Sequence, residues 1–112
     1  MLDAAEAGRE YWARAGTWLE TERAEYMLAK CHLAAGQGAA GLEHAARCAA
    51  ICERNDADAF ERFFAQSALA LAHAAVGDNV RSAQAKDAAL ACHATLAADL
   101  KPWCESTLRR LA

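Results

Sequence analysis

Apolar residues along the chain recur with the 3.6-residue period of amphipathic α-helices, and short glycine-containing or polar stretches separate the periodic segments. Thr17 with Glu20, and Asp58 with Glu61, have the three-residue spacing of a helix capping box. Proline is tolerated in the first turn of a helix, so Pro102 predicts a short terminal helix. In all we predict six helices: about 3–15, from Thr17 to about 35, 39–54, 59–76, 80–100, and one that begins at Pro102.

Two of these helices have a single apolar stripe, whereas a third is apolar on most sides. The stripe of the helix that starts at Thr17 consists of Ala24, Met27, Leu28, Cys31 and Ala35. That of helix 39–54 consists of Leu42, Ala45, Ala49 and Cys52. In helix 59–76 the apolar side chains point in several directions: Phe60, Phe63, Phe64, Leu69, Leu71 and Val76. A helix of this last kind lies centrally, or lines a groove or an interface.

Length and composition favour one all-α domain over residues 1–112. A chain of 112 residues supports one hydrophobic core. Hydrophobic residues make up 55% of it, many of them alanine, the best helix former. Residues that favour strands are scarce.

Charge and hydropathy argue against two classes of partner. The 12 basic and 15 acidic residues are interspersed, and no basic cluster is present to neutralise phosphates, so we expect no nucleic-acid partner. No run approaches the roughly 18 apolar residues of a membrane span, and the acidic start Met1–Glu6 does not resemble a secretion signal. We therefore expect a cytoplasmic protein that does not bind membranes. Its five cysteines suggest no disulfide framework and are expected to be free thiols.

Two stretches of the chain match each other at an offset of 41 residues, the separation of Gly36 and Gly77. Each predicted unit is a helix, a tight glycine turn and a second helix, and such pairs bury their apolar faces by stacking. The matching positions are Leu28-Ala29 with Leu69-Ala70, His32 with His73, Gly41 with Ser82, and Cys48-Ala49 with Ala89-Leu90.

These matched residues resemble the tetratricopeptide repeat family. That motif has a large and then a small apolar residue in its first helix, a glycine and a polar residue at the turn (here Gly36-Gln37 and Gly77-Asp78), and small residues in its second helix. The resemblance spans about Glu22 to Leu100. It implies antiparallel helical hairpins stacked in three layers as a short solenoid of about six helices, with a right-handed superhelix.

The chain also departs from the family pattern. Its period is 41 rather than about 34 residues. Glu25 and Gln66 occupy the position of the family's aromatic residue, and Glu53 and Ala94 occupy that of its closing proline. HEAT-like helix pairs, whose period is closer to 41, are the alternative.

The resemblance implies a protein-interaction module that binds a peptide or a partner protein in the concave face of its first helices. In this reading Arg23 and Lys30 would bind a carboxylate, and the apolar side chains would anchor the partner. Carried over by position, that face consists of Arg23, Tyr26, Lys30, Leu33, Phe64, Ser67 and Leu71. A homodimer that uses the same surface is the alternative, and a third hypothesis is a helical bundle that binds a metal or a small ligand.

His44, Cys48 and Cys52 lie one turn apart on one predicted helix. Three consecutive turns are too long for all three side chains to reach one ion easily, so we interpret them as two core thiols beside a half-exposed histidine. His32 and His73 share one repeat position, which favours a shared packing role over a pH-responsive pair. No phosphate loop, nucleophile elbow or metalloprotease motif is present. We therefore expect no enzyme, no cofactor and no metal.

Four large aromatic residues lie towards the two ends of the chain: Tyr11, Trp12, Trp18 and Trp103. They predict core anchors that close the terminal layers. In the alternative they form an exposed patch that pairs two subunits.

Overall fold

The computed structural model describes residues 18–112, which form five α-helices and a 3-10 turn and contain no strand. The all-α prediction is confirmed; residues 18–112 contain five α-helices, against about six predicted for the whole chain. The predicted helix 3–15, Tyr11, Trp12 and the cap at Thr17 lie outside the described residues. From residue 18 onwards, none of the helices has the length and apolarity to cross a membrane. The elements are α1 (Trp18–Ala34), α2 (Gly38–Arg54), α3 (Ala59–Ala75), α4 (Asn79–Ala94), the 3-10 turn Lys101–Cys104 and α5 (Glu105–Leu111).

The first three helices each end in the same left-handed turn. In the first turn, Gly36 has φ +76°. The N–H of Gly36 donates to the carbonyl of Leu33, three residues earlier, and the N–H of Gln37 donates to that of His32, five residues earlier. Gly77 has φ +84° and repeats this pattern after α3. Asp56, with φ +48°, repeats it after α2 without a glycine. These are Schellman motifs, which satisfy the last carbonyls of a helix and reverse the chain.

Aspartates begin α3 and α4. The carboxylate of Asp58 accepts a hydrogen bond from the backbone N–H of Glu61, and that of Asp78 accepts one from Arg81, each at 3.0 Å. The cap at Asp58 matches the capping box predicted from the sequence. The predicted end of the helix at residue 100 is wrong, because α4 ends at Ala94. There the Thr95 hydroxyl and its N–H both donate to the Cys92 carbonyl, which tightens the last turn and stops the helix.

Consecutive helices pack on one another, and α3 is central because it contacts α1, α2, α4 and α5. This agrees with its many apolar faces. Phe63 of α3 is completely buried, and Cys104 and Leu111 from the chain end join it in one core cluster. The segment after Pro102 therefore covers the apolar surface of α3 and α4.

The two matched units place equivalent residues in equivalent contacts. A Cβ at Gly41 would lie 2.9 Å from Leu33 and 3.4 Å from the carbonyl oxygen of Ala29. At the equivalent position, Ser82 donates its hydroxyl to the carbonyl of Ala70 at 2.8 Å. In both units, then, the second helix approaches the backbone of the first at a small residue.

The buried face of α1 differs from the predicted stripe. It consists of Glu22, Glu25, Leu28 and Ala29, while Met27 is 52% exposed. Only Leu28 belongs to both sets. Because Glu22 and Glu25 occupy core positions, α1 is rotated about its axis, and the face that it buries is not the predicted apolar stripe.

Candidate functional site

A groove of about 370 Å³ lies between α1, α3 and the 3-10 turn. Helix α1 supplies one wall and α3 the other, because the two pack together across the middle of the fold. Trp103 of the 3-10 turn closes one side. The residues that line this groove are Glu22, Arg23, Tyr26, Met27, Phe60, Glu61, Phe64 and Trp103.

Aromatic rings form the floor of the groove. Phe64 makes edge-to-face contacts with Tyr26, Phe60 and Phe63, with ring centroids 5.7, 5.1 and 5.0 Å apart. Such pairs add packing energy beyond the area that they bury. Burial also raises the pKa of Tyr26, which keeps its hydroxyl neutral. The floor is therefore rigid, uncharged and largely apolar.

Two large apolar side chains stand exposed on the rim, since Met27 is 52% and Trp103 is 74% exposed. Between the walls, the Arg23 guanidinium binds Glu61 with two bonds, Nη2–Oε2 at 2.8 Å and Nε–Oε1 at 3.3 Å. This bidentate pair joins α1 to α3. It also compensates the charge of Arg23 before any ligand arrives.

The residues predicted for a binding face fall into three groups. Arg23, Tyr26 and Phe64 line the groove, and the Lys30 ammonium borders it 5.5 Å from the Tyr26 ring centroid. The other three do not line it.

Leu33 packs into the core with Ala29 and Ala45, and Leu71 packs against the Phe63 cluster. Ser67 is 1% exposed, and its hydroxyl donates to the Phe63 carbonyl at 2.7 Å. Of the predicted binding face, therefore, Arg23, Tyr26 and Phe64 line the groove and Lys30 borders it.

The sequence does not predict five of the groove residues as part of the binding face: Glu22, Met27, Phe60, Glu61 and Trp103. Met27 had been placed on the core stripe of α1, and Phe60 counted among the apolar residues of α3. For Trp103 the exposed alternative fits the structure, whereas Trp18 is half-buried and packs on Cys48 and Cys52. The proximity of the 3-10 turn to α1 had no signal in the sequence pattern.

Glu22 is part of a buried polar cluster between α1 and α2. This cluster, which we call the Glu22 cluster, consists of Glu22, Cys48 and Cys52. All three residues are at most 1% exposed. The Cys48 and Cys52 thiols donate to Glu22 Oε1 at 3.1 and 3.6 Å. The other oxygen, Glu22 Oε2, is buried, and no group among the described residues donates a hydrogen bond to it.

Electrostatics in the Glu22 cluster favour the protonated forms of Glu22 and Cys48. Burial, and then the adjacent Glu61 carboxylate, raises the pKa of Glu22 from 4.5 to about 9. The hydrogen bond with Cys52, together with burial, raises the pKa of the Cys48 thiol. The same bond with Cys48 lowers the pKa of Cys52. The metal-free cluster therefore holds a neutral Glu22 carboxyl at neutral pH.

A second buried acid, Glu25, has a different partner. His44 Nδ1 lies 3.3 Å from both carboxylate oxygens of Glu25. His44 is 8% exposed, so the expectation of a half-exposed side chain is wrong. The imidazole pairs with Glu25 through Nδ1, and its ring stacks on that of His32 with the centroids 5.1 Å apart.

The repeat histidines do not share one environment. His32 Nδ1 contacts the Gln37 side-chain oxygen at 2.6 Å, and the His32 ring stacks on that of His44. Nδ1 of His73, by contrast, has no hydrogen-bond partner within residues 18–112. Both are half-buried. The five cysteines are free thiols, and Cys48, Cys52 and Cys104 are buried.

No family model matches this chain, and no curated protein or solved structure is similar to it. Function is therefore inferred from the groove and the Glu22 cluster alone.

Proposed function

We propose that this protein is an interaction module that binds a segment of a partner protein in the groove. The observation that carries the proposal is the pairing of two exposed apolar side chains, Met27 and Trp103, with a preformed aromatic floor. Exposed tryptophan and methionine are enriched at the centre of protein interfaces. A rigid floor lowers the entropy cost of binding.

Two features of the fold support a tetratricopeptide-like arrangement for this module. The turns at Gly36 and Gly77 have the same hydrogen bonds and the same left-handed backbone. The positions Gly41 and Ser82 approach equivalent backbone carbonyls. We propose that the helical hairpins stack as a short solenoid with a right-handed superhelix, and that the groove is the part of its concave face nearest α1.

The groove best fits a peptide segment with one or two large apolar anchors and an adjacent acidic residue. Its volume of about 370 Å³ holds a few side chains. Lys30 and Arg110 lie near the Tyr26 end and carry positive charge, while the charge of Arg23 is already balanced by Glu61. A stable homodimer buries about 800 Å² per partner, more than the two exposed rim residues suggest.

A peptide-display selection against the full chain tests this proposal. We expect the selected peptides to share an apolar anchor next to an acidic residue. Met27→Glu should weaken their binding at least tenfold, and Trp103→Ala should cost about 2 kcal/mol, the size of an interface hot spot. Val80→Glu is the matched control, because Val80 is 69% exposed but does not line the groove.

The possible results are distinct. Equal binding to the Met27 and Val80 variants, or selection of no peptides, would reject the groove as a binding site. If the pure protein is a dimer that Met27→Glu makes monomeric, while Val80→Glu does not, the same surface is a homodimer interface. Helicity should stay unchanged in all three variants, since each altered side chain is largely exposed.

A further inference from the structure

The Glu22 cluster has three features that a core built only for packing does not need. Two thiols and a carboxylate present their ligand atoms within 4.8 Å of one another. All three groups are buried, and they come from two different helices, α1 and α2. Among the described residues, no group donates a hydrogen bond to the buried oxygen Glu22 Oε2, and the neighbouring Glu61 is itself an acid. Two acidic groups side by side in a buried site cost free energy unless a proton or a cation lies between them.

The sulfur–oxygen distances in the cluster are close to those of tetrahedral coordination. Bond lengths of about 2.3 Å to sulfur and 2.0–2.2 Å to oxygen place two sulfur ligands about 3.8 Å apart, and a sulfur and an oxygen about 3.6 Å apart. The observed Sγ–Oε1 distances are 3.1 and 3.6 Å. An ion would therefore enter with small side-chain movements and no rearrangement of the helices.

We propose that Glu22, Cys48 and Cys52 form a binding site for one thiophilic divalent cation, for which Zn²⁺ is the best fit. Two thiolates and one carboxylate are a donor set that zinc accepts in a four-coordinate site. Water or Glu61, whose carboxylate neighbours Glu22, completes the coordination. On binding, each thiol and the Glu22 carboxyl release a proton to solvent, and no oxidation occurs.

This ligand set differs from the one considered from sequence. His44 lies on the same helix as Cys48 and Cys52, but it binds Glu25 instead. Glu22 takes the place of His44, because α1 crosses α2 at the level of the two thiols. The i, i+4 spacing of the cysteines already puts them on one helical face, and the third ligand comes from the facing helix.

A groove and a small cavity border the site, and apolar side chains surround its two sulfur atoms. Glu22 also lies on the wall of the groove, so we expect an ion to approach the site from that side. Cys52 borders a second, smaller cavity of about 140 Å³ on the far side. Around the sulfurs, Trp18, Tyr26, Ala57 and Ala65 form an apolar shell that would exclude water from the ligands.

The proposal is tested by titrating the full chain with Cd²⁺ and Zn²⁺. The protein is first purified without a tag and freed of metal with a chelator. Cd²⁺ bound to thiolates absorbs in the near ultraviolet, so the absorbance reports sulfur ligation directly. We expect one ion per chain, with an absorbance per ion that corresponds to two thiolates. Zn²⁺ should abolish the Cd²⁺ signal by competition and raise the melting temperature.

Variants separate this site from adventitious binding by thiols. Cys48→Ser and Cys52→Ser should each remove stoichiometric binding, while Cys31→Ser and Cys92→Ser, which alter thiols outside the cluster, should leave it unchanged. Glu22→Gln keeps both thiols and removes only a buried acid, so it should fold. It should lower Zn²⁺ affinity at least tenfold.

Four results would overturn the proposal. These are no saturable binding at one ion per chain, a signal that the control variants lose equally, full affinity in Glu22→Gln, and a Zn²⁺ complex with an unchanged melting temperature. Peptide binding in the groove is measured independently by the Met27 and Trp103 variants, so failure of one proposal is distinguishable from failure of the other.

Discussion

Two buried glutamates lie on one face of α1, and they determine the chemistry of the interior. Glu25 is compensated by His44 and approached by Arg47. Glu22 has only thiols as donors, and its second oxygen lacks one among the described residues. A carboxylate in such surroundings is disfavoured in its charged form. At the scale of the residue, Glu22 therefore destabilises the metal-free fold whenever it is ionised.

Replacing Glu22 with Gln tests this effect of ionisation. In the unfolded chain the Glu22 carboxyl titrates near 4.5, whereas in the fold its pKa is about 9. The folded state therefore binds the proton more tightly, and this contribution to stability is full below pH 4.5 and is lost as the pH rises towards 9. We expect the melting temperature of the chelated wild type to fall between pH 5 and 9 relative to Glu22→Gln.

The other titrating groups that face Glu22, namely Cys48, Cys52 and Glu61, are present in both proteins. The difference between the two curves therefore reports removal of the Glu22 carboxyl, including its effect on these neighbours. Parallel stability curves for the two proteins over this range would show that Glu22 is not held protonated.

The sequence did not predict Glu22 as an interior residue for a physical reason. Periodicity assigns charged residues to the solvent face, because an isolated buried charge costs several kcal/mol. Burial of Glu22 becomes tolerable only through groups on other helices, namely Cys48 and Cys52. A pattern within one helix does not contain that information.

At the scale of the element, the residues in the turns predict where most of the helices end. Gly36 and Gly77 were correctly predicted as helix ends, since glycine adopts the left-handed conformation that a Schellman turn requires. Asn55–Asp58 was also identified as a break, and Asp56 makes the same turn at φ +48°. The end of α4 at Ala94 was missed, because Thr95–Leu100 contains neither glycine nor proline.

Opposite substitutions at two of these turns test the shared conformation. Gly77→Ala should lower the free energy of unfolding by on the order of 1 kcal/mol, because an added Cβ meets no neighbour and only the backbone conformation is penalised. Asp56→Gly should raise stability, since it relieves a non-glycine residue in the left-handed region. The ion pair with Arg62 that it removes is exposed and screened by solvent.

Urea denaturation of both variants beside the wild type measures these changes. Loss of stability in Asp56→Gly, or none in Gly77→Ala, would contradict the account of the turns.

The groove exists only at the scale of the whole molecule, because α1, α3 and the 3-10 turn each contribute a part of it. Composition and periodicity predicted an all-α fold and an apolar central helix, and both are observed in the described residues. Which side chains meet at the groove depends on how far α1 is rotated about its axis. That rotation follows from the buried Glu22 and Glu25, so Met27 moves from a predicted core position to the rim.

The most direct measurement of the central claim, that the groove binds a partner segment, is methyl NMR of the methionines. The chain has two, Met1 and Met27, so a protein labelled at the methionine methyl groups gives two signals, and Met27→Leu assigns them. When a selected peptide is added to saturation, we expect the Met27 signal to shift, because its side chain lies on the groove rim beside Trp103. An unchanged Met27 signal under saturating peptide would place the binding site elsewhere and contradict the account.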